Sequence, residues 1–352
     1  MKRFICLIIT LLLIFSAVSC GLISPKQAEI AANKAKLSVH FIDVGQGDSA
    51  LLESEGEFVL IDAGEATYGM TVLDFIKSRD ARSIKYMIAI HPHSDHIGGL
   101  KTVMDGVRTE NFITVETDSD TSSWINTLKK VEAMGINYID AVPGDQYSFG
   151  SATLTVVGPV KHDYEGCNNC SVVVKAECGD ISFLLTGDAE QQAEFDMLDS
   201  GADLSADVLK CGHHGSSDAS SAALLKAVKP VFAVASCAKN NEYGHPNEET
   251  VERLRLLGAE LFRTDTQGTI SFYTDGSYLT AAAGGARICS YNAGEDRVHP
   301  ENLDYIGNKN SMLFHDPTCS GGKATMDKNK VTFKNRKDAI AQGYSPCPHC
   351  KP

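Results

Sequence analysis

Short apolar runs alternate with amphipathic segments along most of this chain. The runs have the length of buried strands, whereas the segments repeat apolar residues at a helical period. The runs predict strands at 37–44, 50–53, 58–61, 86–90, 153–157, 172–176, 181–185, 208–211, 231–235 and 269–273. The segments predict helices at 70–78, 97–104, 123–134, 190–198, 220–227 and 248–257. Alternation of this kind predicts an α/β domain built in layers.

The first twenty residues have a different pattern. Lys2 and Arg3 precede an apolar run at 4–15, and small residues then lead to Cys20. This pattern is typical of an export signal rather than of a fold element. The small residues before Cys20 resemble a bacterial lipobox, which predicts cleavage before Cys20 and lipidation of its thiol. The protein would then be anchored by lipid at the extracellular face of the cell membrane; ordinary secretory cleavage is the alternative.

Composition and charge help to divide the chain into segments. The chain has 352 residues and a net charge of −13, which argues against binding a polyanion over the whole surface. Residues 297–352 carry nine Lys and Arg against five Asp and Glu, so this tail is +4 and the remainder is −17. We expect a signal at 1–20, a spacer at 21–36, a main domain at 37–281, a linker at 282–301 and a C-terminal module at 302–352.

A dense cluster of metal-binding side chains follows the apolar run 86–90. His91, His93, Asp95 and His96 form an H-x-H-x-D-H pattern before Gly98 and Gly99. Burying three imidazoles and a carboxylate together is costly unless each has a partner, and two divalent cations would supply those partners. The spacing therefore predicts a two-metal site in the loop between a strand and a helix.

Further candidate ligands lie at the ends of later predicted strands. Asp188 ends one such run, although a carboxylate there could also serve only as a helix N-cap. The pair His213 and His214 follows another run, and His245 lies in a turn. Two bound cations can activate water and stabilise an in-line displacement at phosphorus. Asp95 would orient the water, and His213, His214 or His245 would protonate the leaving oxygen.

These motifs together resemble one family of hydrolases. Residues 41–49, 91–99, 186–188 and 213–216 are similar to the hydrolase domain of ComEC-type competence DNA-uptake proteins, which has the metallo-β-lactamase fold. The resemblance covers 37 to about 278. It implies a four-layer αβ/βα sandwich with metal ions at one edge of the sheets, plus here a small zinc-stapled C-terminal module.

The resemblance also implies roles for individual residues. His91 and His93 would bind one metal, Asp95 and His96 the other, and Asp188 would bridge them. His213 or His214 would complete the second site, while Asp62 would steady the metal-binding loop without ligating. Many family members have a further histidine before the bridging aspartate; here that interval contains only His162, and Asn168 and Asn169 stand in the corresponding segment. The donor set suits zinc or manganese.

The C-terminal module has its own metal-site pattern. His315, Cys319, Cys347 and Cys350 have the spacing of a closed structural zinc site, with a disulfide among the thiols as the alternative. Residues 305–347 resemble the metal-binding domain of the DNA-repair protein Ada, with His315 replacing one of its four cysteines. A module of this size commonly needs such a metal because its core is small.

Taken together, the sequence predicts an exported, lipid-anchored, metal-dependent phosphodiesterase, most simply a DNase. The expected partners are DNA, the membrane through the lipid on Cys20, and a DNA-uptake channel protein. Two alternatives remain open at this point. One is a metal-dependent hydrolase of a lactone, a β-lactam or a small phosphoester, and the other is a non-catalytic surface lipoprotein that binds DNA.

Overall fold

The computed structural model describes residues 25–284, 287–295 and 298–352. The predicted signal at 1–20, Cys20 and the first part of the spacer lie outside the described residues. Helix α1 (Pro25–Lys34) occupies most of the remaining spacer and leads directly into the first strand. Among the described residues, no helix combines the length and apolar character needed to cross a membrane.

The strands and helices follow one another through the whole described chain. The strands are β1 (Leu37–Phe41), β2 (Ala50–Ser54), β3 (Glu57–Ile61), β4 (Ser83–Ile88), β5 (Arg108–Thr114), β6 (Asn137–Asp140), β7 (Gln146–Phe149), β8 (Ala152–Gly158), β9 (Val173–Cys178), β10 (Ile181–Leu185), β11 (Val208–Lys210), β12 (Phe232–Ala235), β13 (Glu260–Arg263), β14 (Ile270–Thr274), β15 (Tyr278–Ala283), β16 (Arg287–Asn292), β17 (Tyr305–Asn308), β18 (Leu313–His315), β19 (Lys330–Phe333) and β20 (Ser345–Pro346). The helices after α1 are α2 (Gly69–Ser78), α3 (Ser94–Ile97), α4 (Leu100–Gly106), α5 (Ser122–Ala133), α6 (Gln191–Ser200), α7 (Ala222–Val228), α8 (Glu248–Leu257), α9 (Thr264–Gln267), α10 (Ser320–Lys323) and α11 (Arg336–Ala341).

Two large sheets pack face to face, and helices cover the outer face of each. Within the described residues, the first sheet has the order β16-β15-β14-β1-β2-β3-β4-β5-β6 and the second β13-β12-β11-β10-β9-β8-β7. One apolar cluster fills the space between the sheets. A second joins the first sheet to α2, α4 and α5, and a third joins the second sheet to α6, α7 and α8. The predicted four-layer αβ/βα sandwich is confirmed.

Strand β1 shows why these residues form a sheet buried on both faces. Val39 and Phe41 face the space between the sheets and are buried there. His40 points the other way, and its ring packs edge-on against Phe75 of α2 with ring centroids 5.2 Å apart. Because successive side chains of a strand alternate between faces, β1 contacts both the opposite sheet and the helical layer.

Two predicted elements differ from those in the structure. The predicted helix at 97–104 is divided into α3 and α4, because the Gly99 amide donates to the Gly64 carbonyl at 2.9 Å and the His96 carbonyl accepts from the Ala63 amide at 2.8 Å, in place of helical hydrogen bonds. The predicted linker at 282–301 is wrong over much of its length. Strand β16 lies within it and pairs antiparallel with β15, so the first sheet continues where Gly and Asn had indicated a flexible connection.

The C-terminal module forms a small sheet with the order β19-β17-β18-β20. Its apolar side packs on the helices that cover the second large sheet. Leu303, Tyr305 and Phe314 belong to the same apolar cluster as Leu225 and Leu254. The module therefore adds to the outer layer of the sandwich.

Candidate metal centre

The candidate ligands meet at one edge of the sandwich because of strand direction. Strands β3 and β4 run parallel, and so do β10, β11 and β12, which brings their carboxyl ends to the same side of each sheet. Polar loops that follow such strand ends commonly form functional sites. The residues placed there are Asp62 after β3, His91 to His96 after β4, Asp188 after β10, His213 and His214 after β11, and His245 in the loop between β12 and α8.

One group of potential ligands consists of His91, His93 and Asp188. One donor atom from each lies within 4.8 Å of the others. His91 Nε2 lies 3.5 Å from Asp188 Oδ2, and both residues are almost fully buried. Neither ring nitrogen of His91 has a hydrogen-bond partner among the described residues. This arrangement leaves His91 free to bind a cation.

A second group shares Asp188 with the first. Asp48, His96, Asp188 and His214 bring one donor atom each to within 4.8 Å of the others. His96 Nε2 lies 3.3 Å from Asp188 Oδ2, and His214 Nε2 lies 3.6 Å from Asp188 Oδ1. Asp188 Oδ2 therefore lies close to His91 of the first group and to His96 of the second, so the carboxylate stands between the two groups, as expected of a bridging ligand.

Divalent cations fit both groups. Buried polar atoms normally have hydrogen-bond partners, and leaving them without any costs free energy. His96 Nε2 and Asp188 Oδ1 are buried with no hydrogen-bond partner, like the ring nitrogens of His91, and these three residues all belong to the two groups of close donors. Imidazole nitrogen and carboxylate oxygen are donors that zinc accepts readily.

Asp62 holds one of the ligands in place without facing the shared volume. Its Oδ2 lies 2.7 Å from His96 Nδ1, and its other oxygen accepts a hydrogen bond of 3.0 Å from the Ile90 amide. A carboxylate on the far nitrogen of a ligating histidine fixes its tautomer and orientation. Asp62 therefore contacts the side of the His96 ring opposite to Nε2, which lies near Asp188.

Replacing Asp62 with asparagine should lower metal affinity at this centre about 10- to 100-fold, as is typical when such a supporting carboxylate is lost. His96 would keep its position but lose its charged partner. Competition with a fluorescent chelator measures the change, and Asp74→Asn, on α2, provides the control. Unchanged affinity in Asp62→Asn would show that Asp62 does not support the ligand.

Asp48 is a residue that the sequence analysis quoted in a motif but did not assign to the site. Its Oδ1 lies 3.2 Å from His214 Nδ1, and its Oδ2 lies 2.9 Å from the ammonium of Lys210, which is also buried. Burial raises the pKa of Asp48, but Lys210 and His214 outweigh this and hold the pKa well below its usual range. Asp48 is therefore an anion that orients His214 and adds negative charge to the centre.

The paired histidines take different positions. His214 lies in the second group, whereas His213 lies beside Glu190 and Asp218, with Nδ1 at 3.4 and 3.5 Å from their carboxylates. Both histidines have positive φ, 47° and 56°, so the backbone reverses between them and sends the rings apart. Of the two histidines predicted for the second metal, His214 is the one that lies in the second group. His213 lies farther away, with its Nε2 3.9 Å from Asp188 Oδ2.

Asp95 lies at the rim of this centre. Its Oδ2 is 3.2 Å from His214 Nε2 and 3.8 Å from His96 Nε2, and a quarter of its side chain is exposed. It stands outside both groups of close donors, whereas Asp48 belongs to the second group. Asp95 is nevertheless near enough to contact a bound ion or a water molecule entering from solvent.

His245 forms the outer wall of the site. Its ring lies 5.6 Å from the His213 ring and is stacked on the exposed ring of Tyr243 at 5.5 Å. Burial, together with the neighbouring His214 and His213, lowers the pKa of His245 to about 4, so it is neutral at pH 7. Gln46 Nε2 lies 3.4 Å from His245 Nδ1 and ties this loop to the one that carries Asp48.

The segment that lacks the expected histidine has a structural role. Asn169 Oδ1 accepts hydrogen bonds from the amides of Glu190 and Ala193, at 3.1 and 3.2 Å. Asn168 donates to the Glu190 carboxylate at 2.7 Å. These amides fix the loop between Asp188 and α6, whereas His162 is exposed and lies outside both groups.

Metal binding at this centre should release protons. Burial lowers the pKa of His96 and His214, but the surrounding carboxylates outweigh it: the pKa of His96 lies well above its usual value, and that of His214 rises to about 9. A cation must displace those protons, so affinity should rise with pH up to about 9. Zinc titrations by calorimetry in buffers of different ionisation enthalpy measure the release; a buffer-independent enthalpy would contradict it.

The C-terminal ligands come together as predicted by their spacing. Donor atoms of His315, Cys319, Cys347 and Cys350 lie within 4.8 Å of one another. The three cysteines are free thiols, so the disulfide alternative is not what the structure shows. Gly321 permits the tight turn over this site, because a Cβ there would lie 2.9 Å from the His315 ring. Three sulfurs and one imidazole fit a structural zinc ion.

Comparison with known proteins agrees with this geometry. The model of the metallo-beta-lactamase superfamily matches residues 42–239, and the model of the metal-binding domain of Ada matches residues 298–352. The chain belongs to the metallo-beta-lactamase superfamily and is a metal-dependent hydrolase with a second, Ada-like zinc-binding domain.

Its relatives place it more narrowly. It is 25% identical over 252 residues to ComE operon protein 3 of Bacillus subtilis, which covers 66% of this chain and 32% of that protein. It is 26% identical over 254 residues to competence protein ComA of Neisseria gonorrhoeae, covering 72% and 34%. The predicted resemblance to ComEC-type competence proteins is confirmed. The chain spans about a third of the length of these relatives.

Solved structures include similar folds. The metallo-beta-lactamase fold protein YhfI from Bacillus subtilis is 15% identical, covers 67% of this chain and 99% of its own, and superposes with a TM-score of 0.47. The diiron beta-hydroxylase CmlA from Streptomyces venezuelae is 12% identical, with 68% and 54% covered and a TM-score of 0.46.

Proposed function

We propose that this protein is a phosphodiesterase with two metal ions, zinc or manganese, and that its substrate is DNA outside the cell. The observation that carries the proposal is the pair of donor groups that share Asp188 at one edge of the sandwich. Two adjacent cations are a common solution for hydrolysing phosphodiesters, because one displacement generates charge on two oxygens.

When bound, the cations would supply Lewis-acid activation of the phosphodiester and of the attacking water. The protein's own residues would then orient the water and the substrate and balance the charge that develops. Asp95 Oδ2, at the rim, can accept a proton from water that enters the site. Burial lowers the pKa of His213, but Asp218 and Glu190 outweigh it and raise the pKa to about 10, so this ring is cationic at pH 7. It can donate a hydrogen bond to the leaving oxygen.

The relatives support DNA as the substrate. One is named competence protein ComA, and another, 26% identical over 251 residues, is recombination protein 2 of Haemophilus influenzae. The net charge of +4 on 297–352 supports contact between the C-terminal module and a polyanion, while the remainder of the chain is strongly acidic. Cations in the centre would offset that acidity where the phosphate must bind.

We propose that the protein acts at the extracellular face of the cell membrane, anchored through lipid on Cys20, and that it works beside a DNA-uptake channel protein. The sequence before Cys20 supports this location. Cys20→Ser should release the protein from the membrane fraction into the medium or leave it unprocessed, as seen by fractionation. Identical fractionation together with identical processing of Cys20→Ser and the unaltered protein would contradict the anchor.

The decisive test is cleavage of single- and double-stranded DNA by the purified protein with manganese or zinc. We expect metal-dependent cleavage that is lost in His96→Ala and kept in His162→Ala, a control at an exposed histidine. Measured metal occupancy without cleavage of either substrate would overturn the proposal. Hydrolysis of a lactone, a β-lactam or a small phosphoester instead would favour the small-molecule alternative.

Tyr243 provides a prediction about how DNA is held. Its ring is 59% exposed, stacked on His245, and its loop is fixed by hydrogen bonds from Asn247 to the carbonyls of Tyr243 and Gly244. Stacking of one base on an aromatic ring is worth about 1–3 kcal/mol. Tyr243→Ala should raise KM for DNA roughly 5- to 100-fold with little change in kcat, whereas Tyr243→Phe should behave like the unaltered protein. Equal KM values for all three would contradict stacking.

A further inference from the structure

The C-terminal module is joined to the hydrolase domain through more than chain connectivity. The apolar cluster that covers the second sheet includes residues from both, as described above. Hydrogen bonds also cross the boundary: the His299 amide donates to the Leu257 carbonyl at 2.7 Å, and Asn302 donates to the Leu256 carbonyl at 2.9 Å. The last turn of α8 is thus attached to the segment that leads into the module.

Arg253, on the same helix, lies between the two metal sites. Its side chain is 2% exposed. Nη2 donates to the carbonyl oxygens of Ser217 and Ala219 at 2.9 and 3.2 Å, while Nη1 lies 3.5 Å from Asp316 Oδ2 of the module. A guanidinium has its donors in a rigid planar fork, so moving one partner moves or breaks the others.

On the module side, Asp316 is attached to the zinc site. It follows the ligand His315 directly, and its backbone amide donates to Cys350 Sγ at 3.4 Å. Its Oδ1 accepts a hydrogen bond of 2.9 Å from the amide of Thr318, one residue before the ligand Cys319. A change in the positions of these ligands would therefore move the Asp316 carboxylate.

On the hydrolase side, the Arg253 guanidinium supports the loop that carries the paired histidines. Ser217 and Ala219 flank Asp218, which lies 3.5 Å from His213. We define the active-site loop as residues 212–219. His213 and His214 have positive φ there, a conformation that persists only where surrounding contacts hold it. Arg253 supplies two of those contacts from a position that touches no metal ligand of the active site.

We propose that the zinc site of the module and the metal centre of the hydrolase domain are energetically coupled through Asp316 and Arg253. Arg253 is then a positioning residue: zinc in the module fixes Asp316, Asp316 fixes the guanidinium, and the guanidinium fixes the active-site loop. Coupling is reciprocal, so metal at the active site must strengthen metal binding in the module by the same factor.

Cobalt(II) makes this measurable on the full chain. Among the described residues, only the module brings cysteines into a close group of metal-binding donors, so sulfur-to-cobalt charge-transfer absorption reports cobalt in the module. Its cobalt affinity is compared between the unaltered protein and Asp188→Asn, in which the shared ligand of the active site is lost. We expect binding roughly 5- to 150-fold tighter in the unaltered protein, the usual range for coupled sites.

The link itself is tested by repeating this comparison in other backgrounds. In the Arg253→Met background, the module's cobalt affinity should be the same with and without Asp188→Asn. The control is Arg255→Met, at an exposed arginine that pairs with Glu252, and it should keep the full ratio of the two cobalt affinities. If Arg253→Met does not fold, Asp316→Asn is used, with the exposed Asp327→Asn as its control, and the ratio should shrink toward one.

A ratio of one in the unaltered protein, or an undiminished ratio in both Arg253→Met and Asp316→Asn, overturns the proposal. The measurement reads metal binding alone. Failure to cleave DNA would therefore overturn the proposed function without touching this coupling, and the reverse also holds.

Discussion

Asp188→Asn should abolish hydrolysis, with a fall in rate of about 10³-fold or more. Asp188 is the residue common to both donor groups, and its oxygens lie 3.3 to 3.6 Å from three imidazoles. Loss of a bridging carboxylate weakens both metal positions at once. A catalytic metal ion contributes several kcal/mol of transition-state stabilisation, and each 1.4 kcal/mol is a tenfold change in rate.

Metal content by elemental analysis and rate on a chromogenic phosphodiester measure this effect together. The matched control is Asp180→Asn, the same change at an exposed turn just before β10. We expect the control to keep its rate and metal, and Asp188→Asn to retain only the zinc of the C-terminal module. Full rate and full metal content in Asp188→Asn would mean that Asp188 is not a bridging ligand.

Much of this centre is predictable because its ligands are local in sequence or lie at strand ends. His91, His93 and His96 fall within six positions, and Asp188 follows an unambiguous buried strand. The apolar run 181–185 and the amphipathic segment 248–257 match β10 and α8 to the residue, because turn residues bound them clearly. Pattern and strand direction together therefore locate the edge at which the site forms.

The sequence could not predict which side chains the backbone geometry brings to the centre. The choice between His213 and His214 depends on a reversal with two positive φ values, which an adjacent pair of letters does not reveal. Asp48 lies between β1 and β2, far in sequence from the other ligands, and only the tertiary fold brings it to His214. The sequence does contain one signal, because the charged residue Lys210 interrupts the apolar run just before the paired histidines.

The sequence also did not predict that the C-terminal module packs on the hydrolase domain, because this contact depends on tertiary structure. The Gly- and Asn-rich composition of 282–301 indicated a linker, yet β16 there is held by its pairing with β15. Arg253 lies on the buried face of α8 with Leu254 and Leu257, although arginine side chains in proteins are mostly exposed. Its burial becomes intelligible only when the backbone carbonyls of Ser217 and Ala219 are seen to face it.

Lys210→Met should destabilise the protein by about 3–5 kcal/mol, the usual cost of removing one partner from a buried ion pair. Lys210 Nζ lies 2.9 Å from Asp48 Oδ2 and donates to the Cys211 carbonyl at 2.9 Å, with both side chains buried. The substitution removes the ammonium partner of the buried Asp48 carboxylate, which then keeps only His214 beside it. Urea unfolding of the metal-free protein measures the loss.

Lys175→Met is the matched control, because Lys175 is also a buried lysine of the second sheet. Its partners Asp203 and Glu177 are exposed, so removing it should cost no more than about 1 kcal/mol of ion-pair energy. Adding Asp48→Asn to Lys210→Met should recover most of the lost stability, since no charge then remains unpaired. Zinc should also reduce the difference in unfolding free energy between Lys210→Met and the unaltered protein, because the cations give Asp48 a new partner. Equal losses for Lys210→Met and Lys175→Met would show that the Lys210–Asp48 pair does not stabilise the centre.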